Sequence, residues 1–348
     1  MDPMSYPHLH WRALSTSINS MPSVPTLLQQ LLFRTRNPQA SATIEVDQLT
    51  GGKYILPFVA PGGPGVVVSK TGRSTNEVKA PMIRVKQPFT ARELLLERGI
   101  GQAQFVTSGG DVQTAREAKL AREQKYLKDR AERTIEFMAA QAITTGQVSA
   151  TAGQEGNQVS FTVDFGVPDD HKPTALAGNY VWGGSSADVP GNIQTWADLV
   201  SNNGTGAPDT MILGTDAANK FLADTKVLAE LDNRNLGVGS FQVMVGNAYI
   251  GRYKGLDVYR YPFQYQTKAG VKTKLVGSKL CVLVNSQARF SVEFGMIEDL
   301  DAEASVVAEY FSKSWLTKDP SQLWLLAETH PLPVIWEPAN IVIAQVLA

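Results

Sequence analysis

The segment Asp111–Thr144 contains neither glycine nor proline, and nothing else in the chain constrains the fold as strongly. Gly109-Gly110 precede it, with Asp111 placed to cap a helix start, and Gly146 follows as a stop. Leu120, Leu127, Ala131, Ile135, Met138 and Ala142 recur at helical spacing on one narrow face. The remaining positions mix charges, with Lys119–Glu123, Lys125–Asp129 and Asp129–Arg133 at i,i+4. At about 1.5 Å per residue the helix would span roughly 45–50 Å, far beyond the usual three turns. Such a helix is a strut. A coiled coil fits less well because the apolar stripe lacks sustained heptads.

The flanking sequence supplies strands. Before the strut, Thr43–Asp47 and Met82–Lys86 alternate, Val66-Val67-Val68 reads as a strand, and Gly51-Gly52, Pro61–Gly65 and Thr71-Gly72-Arg73-Ser74 read as bends. This is a long two-stranded excursion. An isolated hairpin is marginal in water, so the excursion is expected to lie on another subunit. The apolar patch Leu27–Arg34 is too short for a stable lone helix; it too is expected to be ordered by neighbours, as an arm. After the strut, Val148–Thr151 and Val159–Phe165 make a hairpin across Gly153–Asn157. Asn192–Val200 and Asp216–Thr225 read as helices. Thr210–Gly214, Phe241–Val245, Leu256–Tyr261, Leu280–Val284, Ala288–Phe294, Trp324–Ala327 and Ile341–Leu347 read as strands, and Lys268–Lys272 as a glycine hairpin. The fold class is α+β.

Composition narrows the function. Of 348 residues, 43% are hydrophobic and 19% charged, which is globular. Lys+Arg total 32 against Asp+Glu 33, without the basic excess of a chain that grips phosphates. The single cysteine, Cys281, cannot form an internal disulfide and sits in an apolar run, so it reads as a buried hydrophobe. No stretch approaches the ~20 apolar residues of a membrane span, and Met1–Ser15 lacks the pattern of a secretory signal. A soluble, cytoplasmic chain is expected.

No catalytic constellation emerges. Lys70-Thr71 follow a glycine-rich stretch, but Ser69 stands where a phosphate loop needs glycine, and Gly72 follows. His8 and His10 have no further metal ligands nearby and read as a mobile terminal pair; Asp169-Asp170-His171 reads as a solvated turn. Glu298–Glu303 is acidic without calcium-loop spacing. Arg116, Lys119, Arg122, Lys125, Lys128, Arg130 and Arg133 could form a DNA-facing strip, but Glu117, Glu123, Asp129, Glu132 and Glu136 interleave them. The strut therefore reads as a solvated helix with intrahelical pairs. Trp315, Trp324 and Trp336 lack basic interleaving and read as core or interface anchors. A chain this long and well patterned without a site favours a structural role.

Several segments, in order, resemble the lambda-type major capsid protein E family of tailed phages. They are Pro25–Arg34 with Ile44–Leu49, Gly72–Glu77, the strut from Arg116 to Ile143, Asp209–Gly214, Val284–Arg289, Lys313-Ser314-Trp315, Asp319-Pro320, His330–Pro333 and Ile343–Leu347. The stretch Met1–Val24 departs from the family pattern. The resemblance implies an HK97-like capsid fold: an N-terminal arm (1–40), an extended β-loop (41–105), a spine helix (106–146), a peripheral domain (147–188 and 299–348) and an axial domain (189–298). It also implies pentamers and hexamers of this chain around packaged double-stranded DNA. The implied partners are a decoration protein, a separate scaffolding protein and a portal, with no cofactor, no metal and no membrane. The virion is the implied location, with host cytoplasm during assembly. Leu32, Phe33, Arg73, Trp315 and Trp324 are the candidate assembly-interface residues. The rival readings are an encapsulin-like cargo shell and a cytoplasmic hydrolase.

Overall fold

The computed structural model describes residues 10–22, 26–50, 72–90, 93, 109–154, 157–232, 239–241, 248–266, 270–302 and 305–348. The expected strand Val66–Val68, the bends at 51–52 and 61–65, Lys70-Thr71 and His8 lie outside the described residues.

The strut is one helix, Gly109–Thr145, of 37 residues. Asp111 therefore sits inside its first turns and not at its cap. Gly146 ends it with φ +75°, and a Cβ there would lie 2.8 Å from Val167 Cγ2, so glycine is required on two counts. All six residues of the expected face are buried.

The C-terminal half of this helix lies over the main core. That core also takes in the hairpin Gln147–Gln154/Asn157–Asp164, a three-stranded sheet and one face of a six-stranded sheet. In the three-stranded sheet, Thr35–Pro38 runs parallel to the central Phe290–Phe294, and Pro331–Ile335 runs antiparallel on its other side. Pro331 and Pro333 donate no hydrogen bond, and an edge strand tolerates them.

The six-stranded sheet is ordered Ile341–Gln345, Leu280–Val284, Thr210–Gly214, Leu256–Tyr261, Tyr249–Tyr253 and Gly239–Phe241. Its central strands are buried on both faces, which explains their unbroken apolar runs. Ile212, Val282 and Val284 face the main core. Met211, Leu213, Cys281 and Leu283 face a second core under the helices Val189–Asn203 and Thr215–Leu222. In that second core Trp182 stacks on Trp196, with ring centroids 6.3 Å apart. The helix expected over Asp216–Thr225 is in fact two, Thr215–Leu222 and Thr225–Asp232.

The excursion is rearranged relative to expectation. Its two strands are Thr43–Thr50 and Gly72–Lys79, paired antiparallel with Thr43 opposite Lys79. Arg73 thus lies in a strand and not in a turn. The next strand, Ile83–Thr90, leaves the excursion and joins Gln322–Thr329, which pairs in turn with Phe311–Thr317. The inner face of this second three-stranded sheet packs Phe89, Leu323 and Leu325 onto Leu120 and Leu127 of the strut.

The N-terminal segment is not left for neighbours to order. Helix Trp11–Ser20 packs Leu14 and Ile18 against the strut, and helix Leu27–Leu31 places Leu28 in the main core. His10, expected to be mobile, caps the first helix by accepting from Arg12 N at 3.3 Å. His171, expected in a solvated turn, is fully buried in a 3-10 turn and bonds Ile341 O through Nδ1 at 2.8 Å.

Candidate assembly interface

The strut carries a line of polar side chains at four-residue spacing: Gln124, Lys128, Glu132 and Glu136. All are buried, Glu132 to 1% exposure. On a helix this spacing makes one ridge, inclined to the axis, and here the row seats the N-terminal segment. Gln124 Nε2 donates to Leu14 O at 3.3 Å and to Ser312 Oγ at 3.1 Å. Lys128 Nζ donates to Ile18 O at 2.9 Å and Met21 O at 2.6 Å, at the C-terminal end of the first helix, where a cation satisfies carbonyls left without helical partners. Burial pulls the Lys128 ammonium down from its ordinary value.

Glu132 is the centre of the row. It takes a two-pronged pair from Arg36, Nη2 to Oε1 at 3.0 Å and Nη1 to Oε2 at 3.2 Å, and a hydrogen bond from Tyr310 Oη at 2.8 Å. Arg36 also reaches Glu309 Oε2 at 2.9 Å and Gln29 Oε1 at 3.2 Å, and its guanidinium lies 5.0 Å from the Phe294 ring centroid. Every prong of the fork thus meets an acceptor or an aromatic face, as a largely buried arginine requires. Burial and the charge of Glu132 push the Tyr310 phenol well up.

Glu136 caps the second helix. Its Oε1 accepts from Leu28 N at 2.9 Å and Tyr261 Oη at 2.6 Å, and its Oε2 from Gln29 N at 3.3 Å. One carboxyl therefore joins the N-terminal segment, the strut and the six-stranded sheet. Burial raises its proton affinity above the ordinary carboxylate value, against the opposing pull of these hydrogen bonds.

This row corrects the reading of the strut as a solvated helix with intrahelical pairs. Lys119, Lys128, Glu132 and Glu136 are buried against the chain itself. Arg122, Lys125, Arg130 and Arg133 stay exposed. The signal was present in the sequence. Gln124, Lys128, Glu132 and Glu136 repeat every fourth residue, and three of them directly follow the apolar Leu127, Ala131 and Ile135. Periodic charge on a helix nonetheless looks the same whether water or a buried arginine meets it.

The candidate interface residues separate into groups. Leu32 and Phe33 are 3% and 1% exposed inside the chain's own core, Phe33 edge-on to Phe290, so in this conformation they offer no surface to a second copy. The side chain of Arg73 lies outside the described residues. Trp315 and Trp324 are cross-strand partners on the outer face of the second three-stranded sheet, stacked at 6.2 Å and 9°. They are half-buried, with Lys86 Nζ 5.1 Å from the Trp324 ring centroid and the exposed Leu316 next in sequence to Trp315.

Among the described residues no group of three or more His, Cys, Asp or Glu could hold a metal ion. Cys281 is buried, and burial drives its thiol far up, away from nucleophilic use. No helix among the described residues is long and apolar enough to cross a membrane.

A long spine helix, a two-stranded β excursion and three larger sheets make up the HK97-like capsid fold. A prophage protein of Escherichia coli CFT073 described as a capsid protein shares it, with a TM-score of 0.68 at 18% identity over 98% of this chain and 99% of that one. A phage-related protein from Bordetella bronchiseptica matches with a TM-score of 0.51 at 12% identity, covering 96% of each chain. In sequence the chain is 24% identical over 336 residues to the major capsid protein of Escherichia phage lambda, which is 92% of this chain and 93% of that one. The phage major capsid protein E family matches residues 10–346, and the chain belongs to it. The match begins at His10, so most of Met1–Val24, which departed from the expected pattern, falls within the family span.

Two outcomes follow from the row. Arg36→Ala leaves Glu132 buried without its cation and is expected to cost about 3–5 kcal/mol; in urea titrations, Arg36→Met with Glu132→Leu should recover most of that loss. Glu136 has a raised proton affinity in the folded state, so folding takes up a proton there. Its contribution is fully present below the unfolded carboxyl range and is lost as pH rises through the folded value. Glu136→Gln should flatten the fall of stability with rising pH across that window, as read by urea midpoints in mildly acidic to neutral buffers.

Proposed function

We propose that this chain assembles into the pentamers and hexamers of an icosahedral phage head that encloses double-stranded DNA. The family match across residues 10–346 carries this reading. The extended loop at 41–105 would reach between subunits, while the arm at 1–40, seated from Trp11 to Pro38 on the chain's own spine at 106–146, would stay with its subunit. The segments 147–188 and 299–348 would form the peripheral part and 189–298 the axial part, with strand Ile341–Gln345 crossing between them in the six-stranded sheet. Trp315 and Trp324 offer half-buried aromatic surface on a rigid sheet, the composition of an interface anchor, and Arg73 would meet a neighbour from the excursion. Leu32 and Phe33 are not proposed as contacts.

The near-zero net charge of -1 supports a wall beside DNA and not a phosphate-gripping surface. Two of the strut's basic residues, Lys119 and Lys128, turn inward, which breaks up the strip that could have gripped a duplex. Assembly would proceed in the host cytoplasm with a separate scaffolding protein and a portal, and a decoration protein would bind the finished shell.

Negative-stain electron microscopy of the expressed chain, alone and with its scaffolding protein, tests the proposal. Rings of capsomer size or closed shells are expected. A protein that stays a small uniform oligomer under both conditions contradicts it.

A further inference from the structure

His330 stands at the junction between strands Gln322–Thr329 and Pro331–Ile335. Both of its ring nitrogens face oxygen. Nδ1 lies 3.0 Å from Met296 O, and Nε2 lies 3.0 Å from Glu328 Oε1. A backbone carbonyl only accepts, so Nδ1 carries a hydrogen. A neutral imidazole then has none left for Nε2, which would set a lone pair against an ionised carboxylate. The arrangement is satisfied only when the histidine–glutamate pair holds one proton more than a neutral ring and a carboxylate.

The pair lies in a cluster of charges. Glu328 is 2% exposed, and its Oε2 faces Arg84 Nε at 3.1 Å, a charge contact without an aligned hydrogen bond. Arg84 also reaches Asp299 Oδ2 at 3.4 Å, and Lys313 joins Asp299 and Asp301 at 2.7 Å each. Arg84 and Lys313 are thus the cations facing Glu328, Asp299 and Asp301, and a protonated His330 makes the cluster neutral. Glu328 and Asp299 are buried, where an excess negative charge is least tolerated.

The cluster touches the base of the β excursion. Met296, whose carbonyl holds His330, donates its own N–H to Ser41 O at 2.9 Å, and Gly295 N donates to His330 O at 2.9 Å. A Cβ added at Gly295 would lie 3.1 Å from Ala80 Cβ and 3.5 Å from both Ala42 O and His330 Cβ. The chain enters the excursion at Ala42 and leaves it at Ala80, so both ends pack on this one turn.

We propose that the His330–Glu328 pair is a proton-operated latch that fixes the base of the extended β-loop to the body of the subunit. Proton bound, the ring ties Met296 O to Glu328. Proton lost, Nε2 and the carboxylate repel, and the turn that carries Ser41, Ala42 and Ala80 loosens. The sign follows from linkage: the folded state holds the extra proton, so the latch acts fully at low pH and is lost as pH rises.

The test uses the full-length unassembled chain with ring-15N-labelled histidine, the four signals being assigned with His330→Gln. The proposal expects both His330 ring nitrogens protonated at about pH 6, with one hydrogen lost by about pH 9. Amide exchange at Gly295 and Met296, corrected for the intrinsic rate, should speed up about tenfold over that range in the wild type. In His330→Gln and Glu328→Gln it should stay flat. A neutral ring at about pH 6, wild-type protection that does not change, or the same change in His330→Gln would each overturn it. If a variant fails to fold, the wild-type ring titration and exchange decide alone.

Discussion

The subunit depends on one buried ion pair, Arg36 with Glu132. The two residues are far apart in sequence, and the pair fixes where the N-terminal segment lies along the spine. From Arg36 the strand Thr35–Pro38 is held in register beside Phe290–Phe294. From Glu132 the row extends one step each way, to Lys128 closing the first helix and Glu136 starting the second. An apolar face alone would allow the segment to slide. A line of directional bonds at four-residue spacing does not, and it confers position at a cost in desolvation that hydrophobic residues would avoid. The long helix is thus a spine in a literal sense, since the N-terminal segment, three sheets and a hairpin take their positions from it.

How much of this was legible depends on whether a segment's signal was local. The unbroken spine and the strands Leu256–Tyr261 and Leu280–Val284 stood out because their own residues suffice: no glycine or proline in the first, aromatic and β-branched residues among polar ones in the second, an apolar run in the third. Thr35–Pro38 did not, since Thr-Arg-Asn-Pro becomes a strand only because Phe290–Phe294 offers it a partner. Pro331–Ile335 was hidden by its two prolines, and Phe311–Thr317 by Ser312, Lys313 and Ser314. The N-terminal segment was read as dependent on other subunits for the same reason. Leu28 finds its acceptor 108 positions away, at Glu136, and Ser15 bonds across 297 positions to Ser312.

Of the candidate interface, Trp315 and Trp324 were legible as large aromatics, and their cross-strand pairing gives them a rigid platform. Leu32 and Phe33 carried the same apolar signal, yet they fill the core. Hydrophobicity marks what must be covered, and only the fold says whether the cover comes from within. In the proposed shell the seated N-terminal segment would leave the two-stranded excursion and the half-buried tryptophan pair for contact with a neighbour. This suits a shell subunit whose body is complete before assembly begins.

Amide hydrogen exchange of the unassembled subunit tests that completeness most directly. The amides of Leu28–Phe33 and of Thr35–Pro38 that donate within the chain should be protected to the same degree as those of Phe290–Phe294, with no neighbouring subunit present. Exchange of these amides at unfolded-chain rates in the free subunit, with protection gained only in shells, would contradict the account and return the arm to the neighbours.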